Sequence, residues 1–390
     1  MIEQSPLYTA PRSLYVHVPF CQSKCFYCDF NSYVTNRAVR DQYVAHLVQE
    51  LSMLHAKFIH ADKRPRLDTI FFGGGTPTML ADEHFLEIAD TLMRLFTITQ
   101  DTEWTIEANP GTVHLDQLQL LRRLGVNRIS FGAQTFNDTL LQAIGRLHSA
   151  SDVLDSVKLA QQAGFSRINL DLMLGLPDQD MKDVSDALDV IRDVGITHVS
   201  AYGLKVEQGT PFAKWHAAGH LHLPDEDLQA DMYDLVRNKL EQLGFLQYEI
   251  SNFAQPGEEA LHNLVYWRNL PYFAAGAGAH GYVQGMRYEN ERTLLAYGAA
   301  IDEGKRPVAS THRVDATEAQ EDTMMLGLRL REGVPFDRFE ILHGHSLMSR
   351  FGTVVQQLLK KGWLMTDGAK VWIPREYDPV ANEIYAMFIE

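Results

Sequence analysis

Along the first half of the chain, short runs dense in β-branched and aromatic residues alternate with longer runs whose apolar positions recur every third or fourth residue. "SLYVHV" (13–18) reads as a strand. Residues 37–58 follow, with Tyr43, Val44, Leu47, Leu51 and Leu54 at helical spacing. "LDTIFFG" (67–73) precedes a helix from Asp82 to Phe96, and "EWTIEA" (103–108) precedes one from His114 to Leu124. "NRISFG" (127–132) leads into helical stretches through Ala163, and "SRINLDL" (166–172) into a helix near 180–194. "THVSAYG" (197–203) completes the series. Gly125, Gly164 and Gly195 each stand between a helix and the next strand, where a left-handed residue is wanted.

Strand and helix in strict alternation imply parallel strands joined by right-handed crossovers, hence an α/β fold. An open doubly wound sheet and a (β/α) barrel both satisfy the pattern. In either, the polar and glycine-rich motifs fall at the C-terminal strand ends, where ligands bind. After about residue 204 the rhythm breaks. A helix is expected near 225–243, followed by "FLQYEISNFA" and "HNLVYWRNLPYFAAGAGAHGYV". The remainder reads as a helical unit ending in "GWLMTDGAKVWIP", with Asp367-Gly368 as the turn of a hairpin. Helices followed by a hairpin suggest a winged-helix-like module. The expected organisation is a core over 1–205, a connecting region over 206–290 and a C-terminal domain over 291–390.

The length, 390 residues, exceeds one ordinary domain, and 45% hydrophobic with 22% charged residues is the balance of a soluble globular protein. No apolar run is long enough to span a bilayer, and "MIEQSPLYTAPRSLYV" lacks the pattern of a signal peptide. A cytoplasmic protein is expected. The net charge of −15 argues against nucleic acid as a partner and favours a docking role for the winged module. It leaves room for a local basic pocket, for which Arg268, Arg287 and Arg292 are candidates.

All three cysteines, Cys21, Cys25 and Cys28, fall in "VPFCQSKCFYCDFN" (18–31). An odd number at so tight a spacing does not suit a disulfide framework; a metal or redox role in a reducing compartment does. A structural zinc site normally closes with four ligands, and His17, the nearest histidine, sits within the strand. A [4Fe–4S] cluster is also normally held by four thiolates. With three, one iron is left open to an outside ligand. Downstream, "FFGGGTP" (71–77) allows close backbone approach. Glu107, Gln134, Arg146 and Asp171 stand at or just after successive strand ends as polar partners for one ligand.

C-x3-C-x2-C with "YCDF", on a loop after the first strand, resembles the radical S-adenosylmethionine superfamily. The glycine run is similar to that family's methionine-binding element. The resemblance implies a [4Fe–4S] cluster on Cys21, Cys25 and Cys28. It also implies S-adenosylmethionine contacts from Tyr15, Tyr27, Gly74, Gly75, Thr76, Glu107, Gln134, Arg146 and Asp171. The ending Thr76-Pro77 resembles the branch of the oxygen-independent coproporphyrinogen oxidases. Two features depart from those enzymes. Phe30 stands where they carry a fourth cysteine, and the first strand begins as early as Ser13. "HNLVYW" (262–267) resembles instead the H-N-x-x-Y-W motif of the HemW group of heme chaperones.

That resemblance implies a partial (β/α)6 TIM-like barrel with a C-terminal helical, winged-helix-like domain. It implies heme as a third bound group, contacted by His262, Tyr266 and Trp267, with Arg268 beside a propionate and His280 as a competing ligand. Heme would pass to acceptor hemoproteins such as respiratory cytochromes. A homodimer and transient membrane contact through acceptors belong to the same expectation. An oxidative decarboxylase of coproporphyrinogen III and a heme-degrading enzyme are the alternatives.

Overall fold

The structure, a computed structural model, describes residues 5–59 and 63–389. Alternating strands and helices run β1 (Ser13–Val18), α1 (Arg37–Phe58), β2 (Thr69–Gly74), α2 (Asp82–Leu95), β3 (Glu103–Ala108) and α3 (Leu115–Leu124). They continue β4 (Arg128–Gln134), α4 (Asp138–Ala143), α5 (Ala150–Gln162), β5 (Arg167–Leu174), α6 (Met181–Asp193) and β6 (His198–Gly203). Local chemistry sets several of the ends. Asn36 caps α1 by accepting from the Val39 N–H at 3.1 Å, worth about 1 kcal/mol. Gly125 ends α3 in the left-handed region at φ 107°.

β1 to β6 lie side by side in chain order, all parallel. A doubly wound sheet reverses its strand order at a switch point; this one does not, and the barrel alternative holds. Successive right-handed crossovers in one direction put the helices on one face. There Val16, Ile70, Ile106, Ile129, Leu170 and Val199 pack in one core with Leu47, Ile88, Leu118, Val157 and Leu188. Because side chains alternate along a strand, the other face is free for different residues. It is polar, and it lines a cavity.

After β6 come α7 (Pro211–Ala217), α8 (Glu226–Gln242), β7 (Leu246–Gln247), β8 (Asn252–Ala254), α9 (Leu261–Trp267) and β9 (Phe273–Ala275). The short strands join the main sheet: β8 runs antiparallel to β6, β7 pairs with β8, and β9 lies parallel to β1. The order β7-β8-β6-β5-β4-β3-β2-β1-β9 leaves the barrel open between its two edges. The segment after residue 205 therefore extends both edges of the sheet as well as connecting domains.

β10 (His280–Val283), β11 (Met286–Asn290), α10 (Leu294–Asp302) and β12 (Val308–Arg313) form an antiparallel sheet with one helix. The C-terminal part is α11 (Ala316–Gly327), β13 (Val334–Pro335), α12 (Phe336–His343), α13 (Leu347–Lys361), β14 (Met365–Thr366), β15 (Lys370–Trp372) and α14 (Ala381–Ala386). Helices around a sheet of order β13-β15-β14 make a winged-helix-like unit. Gly368, at φ 89°, turns its hairpin. It has its own core of Phe339, Phe351, Val355, Leu358 and Ile384.

Candidate functional site

The cysteine loop between β1 and α1 is tied down from several sides. The Cys21 N–H donates to Tyr33 O at 3.0 Å and the Phe26 N–H to Ile144 O at 3.1 Å. Asn31 donates its side-chain amide to Ala277 O at 3.0 Å and Arg292 O at 2.9 Å. Held this way, Cys21, Cys25 and Cys28 all open on one cavity of about 430 Å³ at the C-terminal ends of the strands. Phe30 lies on its rim, 62% exposed.

The glycine run forms the adjoining wall. Gly74 adopts φ 109°, a conformation that side chains resist. A methyl group on Gly75 would stand 2.6 Å from Phe20 O, on the cysteine loop itself. The Gly75 and Thr76 N–H groups donate to Val18 O and Phe20 O at 2.9 and 2.7 Å. The bare glycines thus let the two loops close on each other.

Tyr27, Gly74, Gly75, Thr76, Glu107, Gln134, Arg146 and Asp171 line the same cavity as the thiols. Tyr15 lies outside this lining, its hydroxyl donating to His17 Nδ1 at 3.0 Å. The opposite nitrogen, His17 Nε2, donates to Asn31 O at 2.9 Å, so both of its nitrogens are occupied. Gln134 sits at φ 67°, unusual for a side-chain-bearing residue, just after a register shift in β4. The turn ends the strand two residues later than the sequence suggested.

Polar groups reach all three sulfurs: the Tyr27 hydroxyl bonds Cys25 and the Phe30 backbone bonds Cys28. Thr76 Oγ1 lies 3.7 Å from Cys21 Sγ, and an Arg146 Nη1–H donates to Cys25 Sγ at 3.5 Å. Asn109, which sequence reasoning passed over in favour of its neighbour Glu107, bridges them. It donates to Thr76 Oγ1 at 2.8 Å and accepts from Arg146 Nη2 at 2.8 Å.

The carboxylates are set for a cation. Burial, then repulsion from Asp171, pushes the Glu107 carboxyl up to about 8, although it accepts from the Gly74 N–H at 3.1 Å. Burial also raises Asp171, against donors from Asn169 at 2.7 Å and Ser130 at 3.2 Å. Two buried carboxyl groups with raised pKa values in one cavity are stabilised by a positively charged ligand. Burial raises the Cys28 thiol to about 11.

Deeper in the barrel, the inward faces of β4, β5 and β6 carry a second polar layer that sequence reasoning missed. Asn169 donates to Ser130 Oγ at 2.7 Å and Ser200 Oγ at 3.0 Å and accepts from His198 Nδ1 at 2.6 Å. Below it, buried Arg128 donates to Glu103 at 3.2 Å. The signal was present as polar residues at every second position in "RISFGAQ", "NLDLM" and "HVSAY".

The HNLVYW segment forms α9, under the floor of this cavity, which Ala260 and Asn263 line. His262 is 1% exposed. Its Nδ1 pairs with Thr69 Oγ1 and its Nε2 with the Tyr266 hydroxyl, each at 2.8 Å. Burial alone lowers its pKa to about 3, so the ring is neutral. Iron ligation by His262 requires release of one of these bonds. Trp267 and Arg268 turn to the C-terminal domain: Arg329 lies 5.4 Å over the indole, and Arg268 pairs with Glu332 at 3.1 Å. Arg287 pairs with Asp322 at 2.6 Å. His280 is exposed on β10, 3.4 Å from Glu289.

Among the described residues, no three His, Cys, Asp or Glu side chains converge closely enough to grip a single metal ion. A thiolate-held group spanning the loop does fit. Its three sulfurs open on one cavity, with hydrogen-bond donors already aimed at each of them.

The family model of the radical SAM superfamily matches residues 15–191, and that of the HemN C-terminal domain matches residues 314–376. The chain is 41% identical over 379 residues, 97% of itself and 99% of the relative, to the heme chaperone HemW of Bacillus subtilis. It is 37% identical over 329 residues, 83% of itself and 84% of the relative, to the heme chaperone HemW of Escherichia coli. In fold it is similar to the coproporphyrinogen III oxidase HemN of Escherichia coli, with a TM-score of 0.84 at 23% identity, covering 99% of this chain and 91% of that one. Loop, glycine run, barrel order and end-to-end likeness agree: the chain belongs to the HemW group of the radical SAM superfamily.

Proposed function

We propose that this protein binds heme and delivers it to acceptor hemoproteins such as respiratory cytochromes, as a cytoplasmic chaperone without coproporphyrinogen oxidase activity. The observation that carries the reading is its end-to-end likeness to proteins named heme chaperones. Phe30 supports it, being an exposed apolar residue on the cavity rim in place of a fourth thiol. Dimerisation and transient membrane contact through the acceptor belong to the same proposal; among the described residues no helix is long and apolar enough to cross a membrane.

Cys21, Cys25 and Cys28 hold a [4Fe–4S] cluster, and the cavity takes S-adenosylmethionine. When bound, such a cluster supplies an electron and an open iron site. The chain supplies the rest. Glu107, beside the Gly74 N–H, takes the ligand's ammonium group, and Arg146 takes its carboxylate. Asp171, fixed by Ser130 and Asn169, accepts from ribose hydroxyls. Gln134, turned inward by its left-handed backbone, offers both a donor and an acceptor. Heme contact falls to α9 and its surroundings, with His262 as the imidazole that must be released from Thr69 or Tyr266 to meet iron.

The test is product analysis under anaerobic conditions. The reconstituted protein receives S-adenosylmethionine, a reductant and either coproporphyrinogen III or heme. Heme recovered intact, with coproporphyrinogen unchanged, is the expected result. Protoporphyrinogen formed in amounts matching the substrate overturns the proposal in favour of the oxidase, and opened tetrapyrroles overturn it in favour of degradation.

A further inference from the structure

Between Thr76 and Arg146, two of the groups that reach cysteine sulfurs, stands a residue that is no ligand. We infer that Asn109 is a positioning residue: it aims the Thr76 hydroxyl at Cys21 and the Arg146 guanidinium at Cys25, and so raises the reduction potential of a cluster held there. The inference rests on the cluster assignment above.

Donor direction fixes the amide orientation. A guanidinium only donates, so the Asn109 atom 2.8 Å from Arg146 Nη2 is the amide oxygen. The amide nitrogen then faces Thr76 Oγ1, also at 2.8 Å, and donates to it. The Thr76 hydroxyl, buried, has its lone pair filled from that side and its single hydrogen free for Cys21 Sγ at 3.7 Å. The same Arg146 Nη2 also donates to Gly132 O, and with that nitrogen fixed by two acceptors Nη1 donates to Cys25 Sγ at 3.5 Å. One amide orientation thus sets two donors on two sulfurs. Hydrogen bonds to cluster sulfurs favour the reduced, more negative form. An alternative hydroxyl orientation is shut off only while a donor occupies the Asn109 position facing Thr76.

Asn109→Asp preserves shape and reverses the logic. A carboxylate only accepts, so the Thr76 hydroxyl turns to residue 109 and abandons Cys21. The experiment is an EPR-monitored redox titration of the anaerobically reconstituted full chain without S-adenosylmethionine. Asn109→Asp is expected to lower the equilibrium constant for one-electron reduction about tenfold, a shift of about 59 mV. Thr76→Val, which loses the same hydrogen bond without adding charge, shifts the same way, and Thr76→Ser stays at the wild-type value. On the Thr76→Val background, Asn109→Asp moves the potential less than on wild type, because the hydroxyl it redirects is gone. Iron and sulfide content equal to wild type in each variant confirms that the ligands are intact. An unshifted Asn109→Asp, or a Thr76→Ser shifted as far as Thr76→Val, overturns the inference. A wild-type chain that takes up no cluster overturns the cluster assignment and this inference with it.

Discussion

The Phe71 ring lies nearly parallel to the His262 ring, 5.3 Å away at 29°, and Phe71 itself lines the cavity on which the three cysteines open. The Phe71 ring therefore stands between His262 and the cavity, which the next residue, Asn263, lines directly. His262 is neutral and clamped between Thr69 and Tyr266. If heme takes this imidazole, the clamp competes with iron. Thr69→Val, which frees Nδ1, should tighten heme binding several-fold by absorbance titration. His262→Ala should weaken it at least tenfold. Unchanged affinity in His262→Ala removes the imidazole from the heme site.

Glu107 makes ligand binding depend on pH. With its pKa raised to about 8 in the free protein, the group is mostly protonated below that pH and must release a proton to pair with an ammonium. Affinity for S-adenosylmethionine should therefore rise by up to tenfold per unit from pH 6 toward 8. Above about 8 the ligand's own α-amino group loses its charge and the gain ends. Glu107→Gln should bind weakly with little pH dependence below 8. Calorimetric titration across this range checks it; a flat wild-type profile contradicts the pairing.

Gly75 is a steric requirement of the paired loops. Gly75→Ala places a methyl group against Phe20 O, 2.6 Å away, and forces the cysteine loop to shift. The expected cost is about 1–3 kcal/mol in urea unfolding. Reconstitution should also give less iron per chain than wild type.

The buried pair Arg128–Glu103 supports both the cavity floor and the motif, because Glu103 also accepts from the His262 N–H at 3.0 Å. Glu103→Ala leaves the buried guanidinium with only the more distant Glu258 carboxylate, 3.9 Å away, and the expected loss is about 3 kcal/mol. A fall in the urea midpoint of that size, with the slope unchanged, is the readout.

The elements of the first half were readable because one face of each strand is an uninterrupted apolar stripe against helices of regular period. Val16, Ile70 and Ile106 carry that pattern in the sequence itself. Strands β7, β8 and β9 are two or three residues long and form by pairing with partners far along the chain, so no local period reveals them. The strand ends pointed to Glu107, Gln134 and Asp171 by position alone. Asn109 escaped because its role depends on Thr76 and Arg146, which only the fold brings beside it. His262 stood out as a motif, but its burial between Thr69 and Tyr266 was a tertiary outcome that the motif does not encode.

Heme delivery is best tested by transfer to an apo-acceptor. The reconstituted protein, loaded with one equivalent of heme, is mixed anaerobically with an apo-cytochrome and followed by absorbance. The acceptor's heme spectrum should appear as the donor's is lost, with no tetrapyrrole breakdown. Heme that stays on the donor, or that reaches the acceptor no faster than free heme does, contradicts it.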